Sequence, residues 1–475
     1  MKKIFILTLI LFPFLSKAQN CNCSENFRFL VEKIKNNYVG YKDKITTSNQ
    51  TRFDVFTDSL QKVANSAEKS ACLDLCVDWL AFFEDKHLSI SFTPDGATKD
   101  EISDFFKTAE KTYWNEVDLN SYLSRNKKKL DKIEGYWTYG LNNYRIGIVK
   151  DTTNNKSEFI GFIVNTTNSN WGKQQVKMKI KKIGDNYQCV YFRNIDHSKR
   201  FPRILINENT MDLGLFGKWY KNQFMEKREE AIRSTASDIF PSFKILDKET
   251  DLLVLPSFNI RYKEKVDSVI KQNKDLLGNS KHLIIDIRSN QGGTTTTYEG
   301  LLPYIYTNPI YTTAASILAT TDNINGLYHP DIPGLSDVTR KKFEENVRKM
   351  NEHKNEFYLL YPPDTIQLAH VLKNPQRISI LINGESASAA EIMILNYRQS
   401  KKVTLFGQNS SGAIDYVDVL RLKIPCSYFS ILYPAVRYNS VDTHPLNNSG
   451  ITPDVIIPDS IPDWVEFVRT YKPGH

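Results

Sequence analysis

Past its first fifteen residues the chain has no apolar run approaching the ~20 residues that a membrane-crossing helix needs, so no membrane span is expected. Low-complexity tracts and fixed-period repeats are also missing, which excludes a disordered linker protein and a solenoid. Charge of one sign is missing too: 62 Lys and Arg stand against 54 Asp and Glu, giving +8 spread along the chain. That mild excess gives no footing for a polyanion, and no nucleic-acid partner is expected. Cysteine is scarce, with six in 475 residues, and the C-x-C and C-x3-C spacings of Cys21, Cys23, Cys72 and Cys76 are not those of a zinc ribbon. No metal and no cofactor are expected. What remains is an ordinary globular composition, 41% hydrophobic and 24% charged, with length for two to four domains.

The most informative stretch runs from Ile378 to Gly412. Ile378 to Ile382 is a short apolar run closed by Asn383-Gly384, which reads as a buried strand entering a turn. Ser386 to Ala390 are all small, and from Ala389 the spacing of Ile392 and Leu395 is helical. A serine, Ser386 or Ser388, therefore sits where a strand becomes a helix. Unpaired N–H groups and the positive end of the helix dipole favour a developing oxyanion there, although a plain N-cap serine has the same setting. A second apolar strand, His282 to Arg288, ends in Ser289-Asn290-Gln291-Gly292-Gly293, a glycine turn whose amides can approach a ligand. Near the end, Gly450-Ile451-Thr452-Pro453-Asp454 precedes a strand from Val455 to Ile457.

In this order, DIRSNQGG, SASAAE, FGQNSSG and GITPD resemble the S41 peptidases, the tail-specific processing proteases and tricorn-type proteases, over roughly Leu252 to Pro458. The resemblance implies an α/β fold, a crotonase- or Clp-like spiral core of strand-strand-helix units. It places the nucleophile on Ser388 and the oxyanion donors on the backbone N–H groups of Ala389 and of Gly292 and Gly293. The processing branch carries a lysine base 25 positions after the nucleophile; Ala413 stands there, which excludes that serine–lysine design. The tricorn-like branch instead uses an upstream histidine in an L-x-D-x-H segment, and the matching residue is His87 in Asp85-Lys86-His87. Its glutamate, three residues before the glycine of G-V-x-P-D, corresponds to Asn447, with Asp442 or Asp415 as spatial substitutes and His444 as a second base.

The chain opens with Met1-Lys2-Lys3 and the apolar stretch Ile4 to Leu15, followed by Ser16-Lys17-Ala18. This pattern predicts a signal peptide over 1–18 and a soluble mature chain outside the cytoplasm, periplasmic or extracellular. Cys21, Cys23, Cys72 and Cys76 are then disulfide candidates with open connectivity, a four-cysteine zinc site being the rival. Residues 19–134 read as a helical region carrying His87: helices from Ser24 (capping) to Tyr38, Phe53 to Ala67, Ala71 to Phe83 and Phe105 to Leu130. Residues 135–220 read as an inserted all-β module, a small barrel or sandwich of open role. Residues 221–475 hold another helix, Lys221 to Thr235, and then the core, with a lid-like insertion at about 313–363.

The expectation is a secreted serine endopeptidase acting through an acyl-enzyme on Ser388, with peptides or unfolded protein segments as partners. Oligomeric state is not legible. The alternative is a non-catalytic binder of peptides or lipophilic ligands with the same fold and a degraded triad. A serine esterase is disfavoured because Glu385 to Ala389 reads ESASA, not G-x-S-x-G.

Overall fold

The structure, a computed structural model, describes residues 22–472 apart from 68, 95–96, 108, 140–143, 152–157, 203, 208, 214–215, 222–239, 329–336, 426–427, 459–460 and 462. The proposed leader, Cys21, Cys426 and nearly all of the helix expected over 221–235 fall outside these residues.

Four helices open the fold: α1 (Cys23–Asn37), α2 (Tyr41–Lys44), α3 (Gln50–Ala64) and α4 (Lys69–Leu80). Asn22 caps α1, accepting from Ser24 N at 2.9 Å; Ser24, the expected cap, instead donates its hydroxyl to Asn65 Oδ1 at 2.7 Å. The apolar faces converge on Phe27, Phe53, Trp79 and Phe83, all fully buried, with Trp79 in ring contact with each of the other three. Each such burial contributes about 1.5–3 kcal/mol, which holds this layer together. A disulfide joins Cys23 to Cys72. Cys76, also a disulfide candidate, is a free thiol: one helical turn beyond Cys72 it points into this core, and burial pushes its pKa up. The bridge removes two of the four thiols that a zinc site would need.

After α4, a 3-10 turn over Ala81–Phe83 ends at Glu84, whose left-handed φ of 49° redirects the chain into Asp85-Lys86-His87 and strand β1 (Ser89–Phe92). The single helix expected from 105 to 130 is two, α5 (Lys99–Lys107) and α6 (Glu116–Asn126). The segment between them is drawn into the β-module: Val176 N donates to Glu110 O and Thr112 N to Gln174 O, both at 2.9 Å. Asn115 restarts the helix by capping Val117 and Asp118.

The β-module is one nine-stranded sheet rather than two packed sheets. Its strands are β2 (Gly135–Tyr139), β3 (Tyr144–Lys150), β4 (Phe159–Thr166), β5 (Val176–Ile183), β6 (Asn186–Phe192), β7 (Lys199–Arg200), β8 (Leu205–Ile206), β9 (Thr210–Asp212) and β10 (Lys218–Lys221). The order is β7-β6-β5-β4-β3-β2-β10-β9-β8. Trp137, Trp171 and Trp219 are buried in its core.

The rest of the chain alternates strands and helices. In order these are β11 (Ser242–Ile245), β12 (Thr250–Val254), α7 (Lys263–Gln272), α8 (Lys274–Asn279), β13 (His282–Asp286), α9 (Leu302–Ile305), β14 (Ile310–Tyr311), β15 (Ala315–Leu318), α10 (Thr321–Leu327), α11 (Asp337–Glu352), β16 (Phe357–Tyr361) and β17 (Thr365–Ile366). Then come β18 (Arg377–Ile382), α12 (Ala389–Tyr397), β19 (Val403–Gly407), β20 (Tyr416–Lys423), β21 (Phe429–Tyr438), β22 (Val455–Ile456) and α13 (Trp464–Thr470). Ahead of α9, residues 295–301 form two 3-10 turns.

A six-stranded sheet, β11-β12-β13-β18-β19-β22, is parallel except at its β11–β12 edge. Its central strands are the isoleucine-rich runs, buried on both faces as parallel strands are. A second sheet runs β1-β21-β15-β16, with β20 on β21. The two β-strands of the 313–363 insertion, β15 and β16, belong to this sheet, so the insertion is built into the wall beside the site. The result is the α/β spiral of strand-strand-helix units that the resemblance implies, carrying a helical layer and an all-β module.

Candidate active site

β18 and β13 lie side by side in parallel, so the turns at their C-terminal ends meet, as ligand sites in parallel sheets do. From β18 the chain passes through Asn383-Gly384 into α12. Ser386 is a pin: fully buried, it donates its hydroxyl to Ile287 O at 2.9 Å and accepts from Asn383 N at 3.1 Å. Ser388 is half-buried and sits at φ 57°, ψ −121°, immediately before the first residue of α12. A serine rarely adopts that backbone, and such strain gathers where a side chain must be aimed.

Glu391, fully buried, fixes this conformation. One oxygen accepts from Ser410 Oγ (2.6 Å) and Gly412 N (2.7 Å), the other from Ala413 N (2.8 Å) and Ser388 N (3.0 Å). The N–H of Ala389, at the first helical position, has no partner among the described residues.

From the β13 side, Asn290 O accepts from Ala387 N at 2.9 Å. Gly292 lies so close that a Cβ on it would stand 2.6 Å from Ala387 O and 2.8 Å from Ser388 Cβ. Its N–H is committed to Asn290 Oδ1 at 2.9 Å. The N–H of Gly293 has no partner among the described residues, while Phe258 O would lie 2.1 Å from any Cβ there. Of the glycine pair, Gly293 has the uncommitted donor and Gly292 gives the close approach.

The loop after β19 carries the link to the helical layer. Ser411 N donates to Ser386 O at 2.9 Å, and Lys86 Nζ donates to the carbonyl oxygen of Ser411 and to its Oγ, the latter at 3.1 Å. Desolvation lowers the pKa of Lys86, with the Glu391 charge acting in the other direction. His87 is half-buried; its backbone N donates to Asp85 Oδ1 at 2.9 Å and its Nδ1 meets Tyr416 O at 2.7 Å. A carbonyl only accepts, so Nδ1 carries the proton and Nε2 presents a lone pair. No hydrogen bond joins His87 to Ser388. Both are held by the same loop, residues 410–416.

Asn447 is half-buried and does not bond His87; its Nδ2 donates to Glu84 O at 2.8 Å, as Asn448 does at 3.0 Å. Asp415 receives Leu446 N and Asn447 N, Asp442 pairs with Arg437, and His444 is exposed beside Thr443. Tyr416 escaped the sequence reading, because it acts through a backbone carbonyl that any residue would carry. Lys401 and Lys402 follow α12, and Lys402 Nζ donates to Leu372 O at 2.6 Å.

The β9–β10 end of the nine-stranded sheet approaches the serine turn. Burial raises the pKa of the Glu385 carboxyl, Asp212 adds to that, and Ser289 and Lys218 oppose it. Among the described residues no group of three or more His, Cys, Asp or Glu side chains is placed to hold a metal ion, and no helix is long and apolar enough to cross a membrane.

Residues 251–457 match the model of peptidase family S41. No curated protein matches the chain. Among solved structures it is similar to mature CPAF, with 12% identity over 92% of this chain and 92% of that one and a TM-score of 0.47. It is similar as well to a lipoprotein from Streptococcus agalactiae, with 11% identity over 95% of each chain and a TM-score of 0.38. A third is the photosystem II D1 C-terminal processing protease, with 11% identity over 92% of this chain and 93% of that one and a TM-score of 0.37.

Proposed function

Because this chain belongs to peptidase family S41 through residues 251–457 and is a serine-type peptidase, we propose that it is an exported endopeptidase that forms an acyl-enzyme on Ser388. Ser388 Oγ attacks a peptide carbonyl, and His87 Nε2 takes the hydroxyl proton and returns it to the leaving amine. The N–H groups of Ala389 and Gly293 hold the oxyanion of the tetrahedral intermediate. Water then attacks the ester with His87 again as base, releasing the acid and restoring the serine.

The observation that carries this reading is Ser388 at φ 57° beside two N–H groups that have no partner among the described residues, with His87 held at Nδ1 by Tyr416 O so that Nε2 is the nitrogen left to act as base. The substrate is a peptide or unfolded segment lying extended in the cleft, since a folded surface cannot present its carbonyl there. Export is supported by the Cys23–Cys72 disulfide, a bond that persists in oxidising compartments.

The test is labelling by a fluorophosphonate probe together with cleavage of unfolded casein. The wild type labels and cleaves; Ser388→Ala loses both, and His87→Ala falls by at least about 100-fold. A folded wild type that does neither sinks the enzyme reading and favours a binder.

A further inference from the structure

The N–H groups of Ala389 and Gly293 lie on two different turns, and an oxyanion needs both at one point in space. Asn290 is fully buried and bonds to both turns with every polar atom it has. Its backbone N donates to Ile287 O at 3.1 Å, and its backbone O accepts at 2.9 Å from the N–H of Ala387, the residue ahead of Ser388. Its side-chain Oδ1 accepts from Gly292 N at 2.9 Å, and its Nδ2 donates at 2.8 Å to Leu255 O, just past β12. These partners admit one orientation of the amide, because an N–H needs the oxygen and a carbonyl needs the NH2.

Gly292 and Gly293 sit at φ 86° and 142°, and without a Cβ their peptide planes turn at little cost. Asn290 Oδ1 fixes the plane ahead of Gly292. The next plane is fixed by Phe258, whose N–H donates to Gly292 O at 3.1 Å. In a trans peptide C=O and N–H point opposite ways, so the N–H of Gly293 is directed away from Phe258. Ser388 lies on that other side: a Cβ on Gly293 would meet Phe258 O at 2.1 Å, whereas one on Gly292 would meet Ser388 Cβ at 2.8 Å. Leu255, on the same segment as Phe258, is itself tied to Asn290 Nδ2, so both planes around Gly292 refer to one side chain.

We propose that Asn290 is the positioning residue of the oxyanion hole: its amide turns the N–H of Gly293 towards Ser388, and its carbonyl holds the serine turn, with the N–H of Ala389, in register with it. This rests on the reading of Ser388 as the nucleophile. Asn290 touches no substrate and acts through the two donors.

The experiment uses the full chain and a peptidyl trifluoromethyl ketone carrying 13C at its carbonyl. Ser388 Oγ bonds to that carbon, the serine proton passes to the former carbonyl oxygen, and the hydroxyl of the resulting hemiketal ionises to an oxyanion. Donors aimed at this oxygen favour the ionised form, so its titration followed by 13C NMR reports on the hole. In Asn290→Ala and Asn290→Ser the titration moves up by at least about one pH unit. In peptide cleavage kcat falls about 10- to 100-fold with KM little changed. A hemiketal that titrates as in wild type overturns the proposal, and slower cleavage beside it marks a merely structural role. A folded wild type that forms no adduct, like Ser388→Ala, overturns the reading of Ser388 and this proposal with it.

A second measurement needs no variant of Asn290. Gln291-Gly292 is the one Gln-Gly pair in the chain and Gly292-Gly293 the one Gly-Gly pair, so paired 13C-carbonyl and 15N labelling assigns both amides. When the adduct forms, the Gly293 amide proton moves downfield, while that of Gly292, held by Asn290, stays in place. Movement of Gly292 instead overturns the proposal.

Discussion

The backbone nitrogen of Ala413 donates to Glu391 Oε2 at 2.8 Å, the same oxygen that takes the N–H of Ser388. Position 413 is where the processing branch would place its lysine. Here that position is spent on anchoring the loop to α12, and the loop in turn holds Lys86 and His87.

Glu391→Gln tests that anchor. One of the acceptor oxygens becomes an NH2 facing N–H donors, so at least one buried hydrogen bond is replaced by a repulsion. The expected cost is about 2–4 kcal/mol in denaturant unfolding, with fluorophosphonate labelling down by at least about tenfold. Wild-type stability in Glu391→Gln contradicts the network.

Gly292→Ala separates activity from stability. The added methyl would meet Ala387 O, Ala389 N and Ser388 Cβ at 2.6–2.8 Å, at a φ of 86°. The serine turn has to shift, and a 1 Å displacement of reacting groups costs about 100-fold in rate. Near-normal labelling in Gly292→Ala would show that this contact is loose.

Reducing the Cys23–Cys72 bridge should loosen the layer that carries His87. The bond closes a loop of 49 residues, and the chain-entropy model assigns such a loop about 4 kcal/mol. The paired Cys23→Ser, Cys72→Ser variant is expected to melt lower and to label more slowly, while Cys76→Ser leaves the bridge intact. Equal melting temperatures with and without dithiothreitol would count against this.

Two histidines, His282 buried and His197 half-buried, set an acid limit on stability. His282, bonded to Ser379 Oγ and Arg377, has its pKa lowered to about 4 by burial and then by the Arg377 charge. His197, stacked on Trp171, is lowered to about 3 by burial. Both folded values lie below the ordinary 6.5, so the unfolded chain binds more protons between them. Their contribution is full above about pH 6.5 and is lost as pH falls towards 4 and 3. Thermal melts across that range should show the decline, and His282→Gln should flatten its upper part.

Legibility followed locality. The strand, glycine turn and small-residue helix start around Ser388 are written in consecutive residues, as are Gly292-Gly293 and the helices ahead of His87. The break between α5 and α6 was illegible because the β-module, far along the chain, recruits residues 110–112. Tyr416 acts through an atom that every residue has. The pairing of Cys23 with Cys72, rather than with Cys76 one turn later, depends on which face of α4 meets α1.

Strand β1 leaves His87 and pairs with β21, Ser89 opposite Leu432, so the helical layer is sewn to the far end of the chain. A nascent or truncated molecule therefore has its serine turn and its imidazole on unconnected pieces. Only closure of that seam brings Lys86 and His87 onto the loop that also anchors the Ser388 turn.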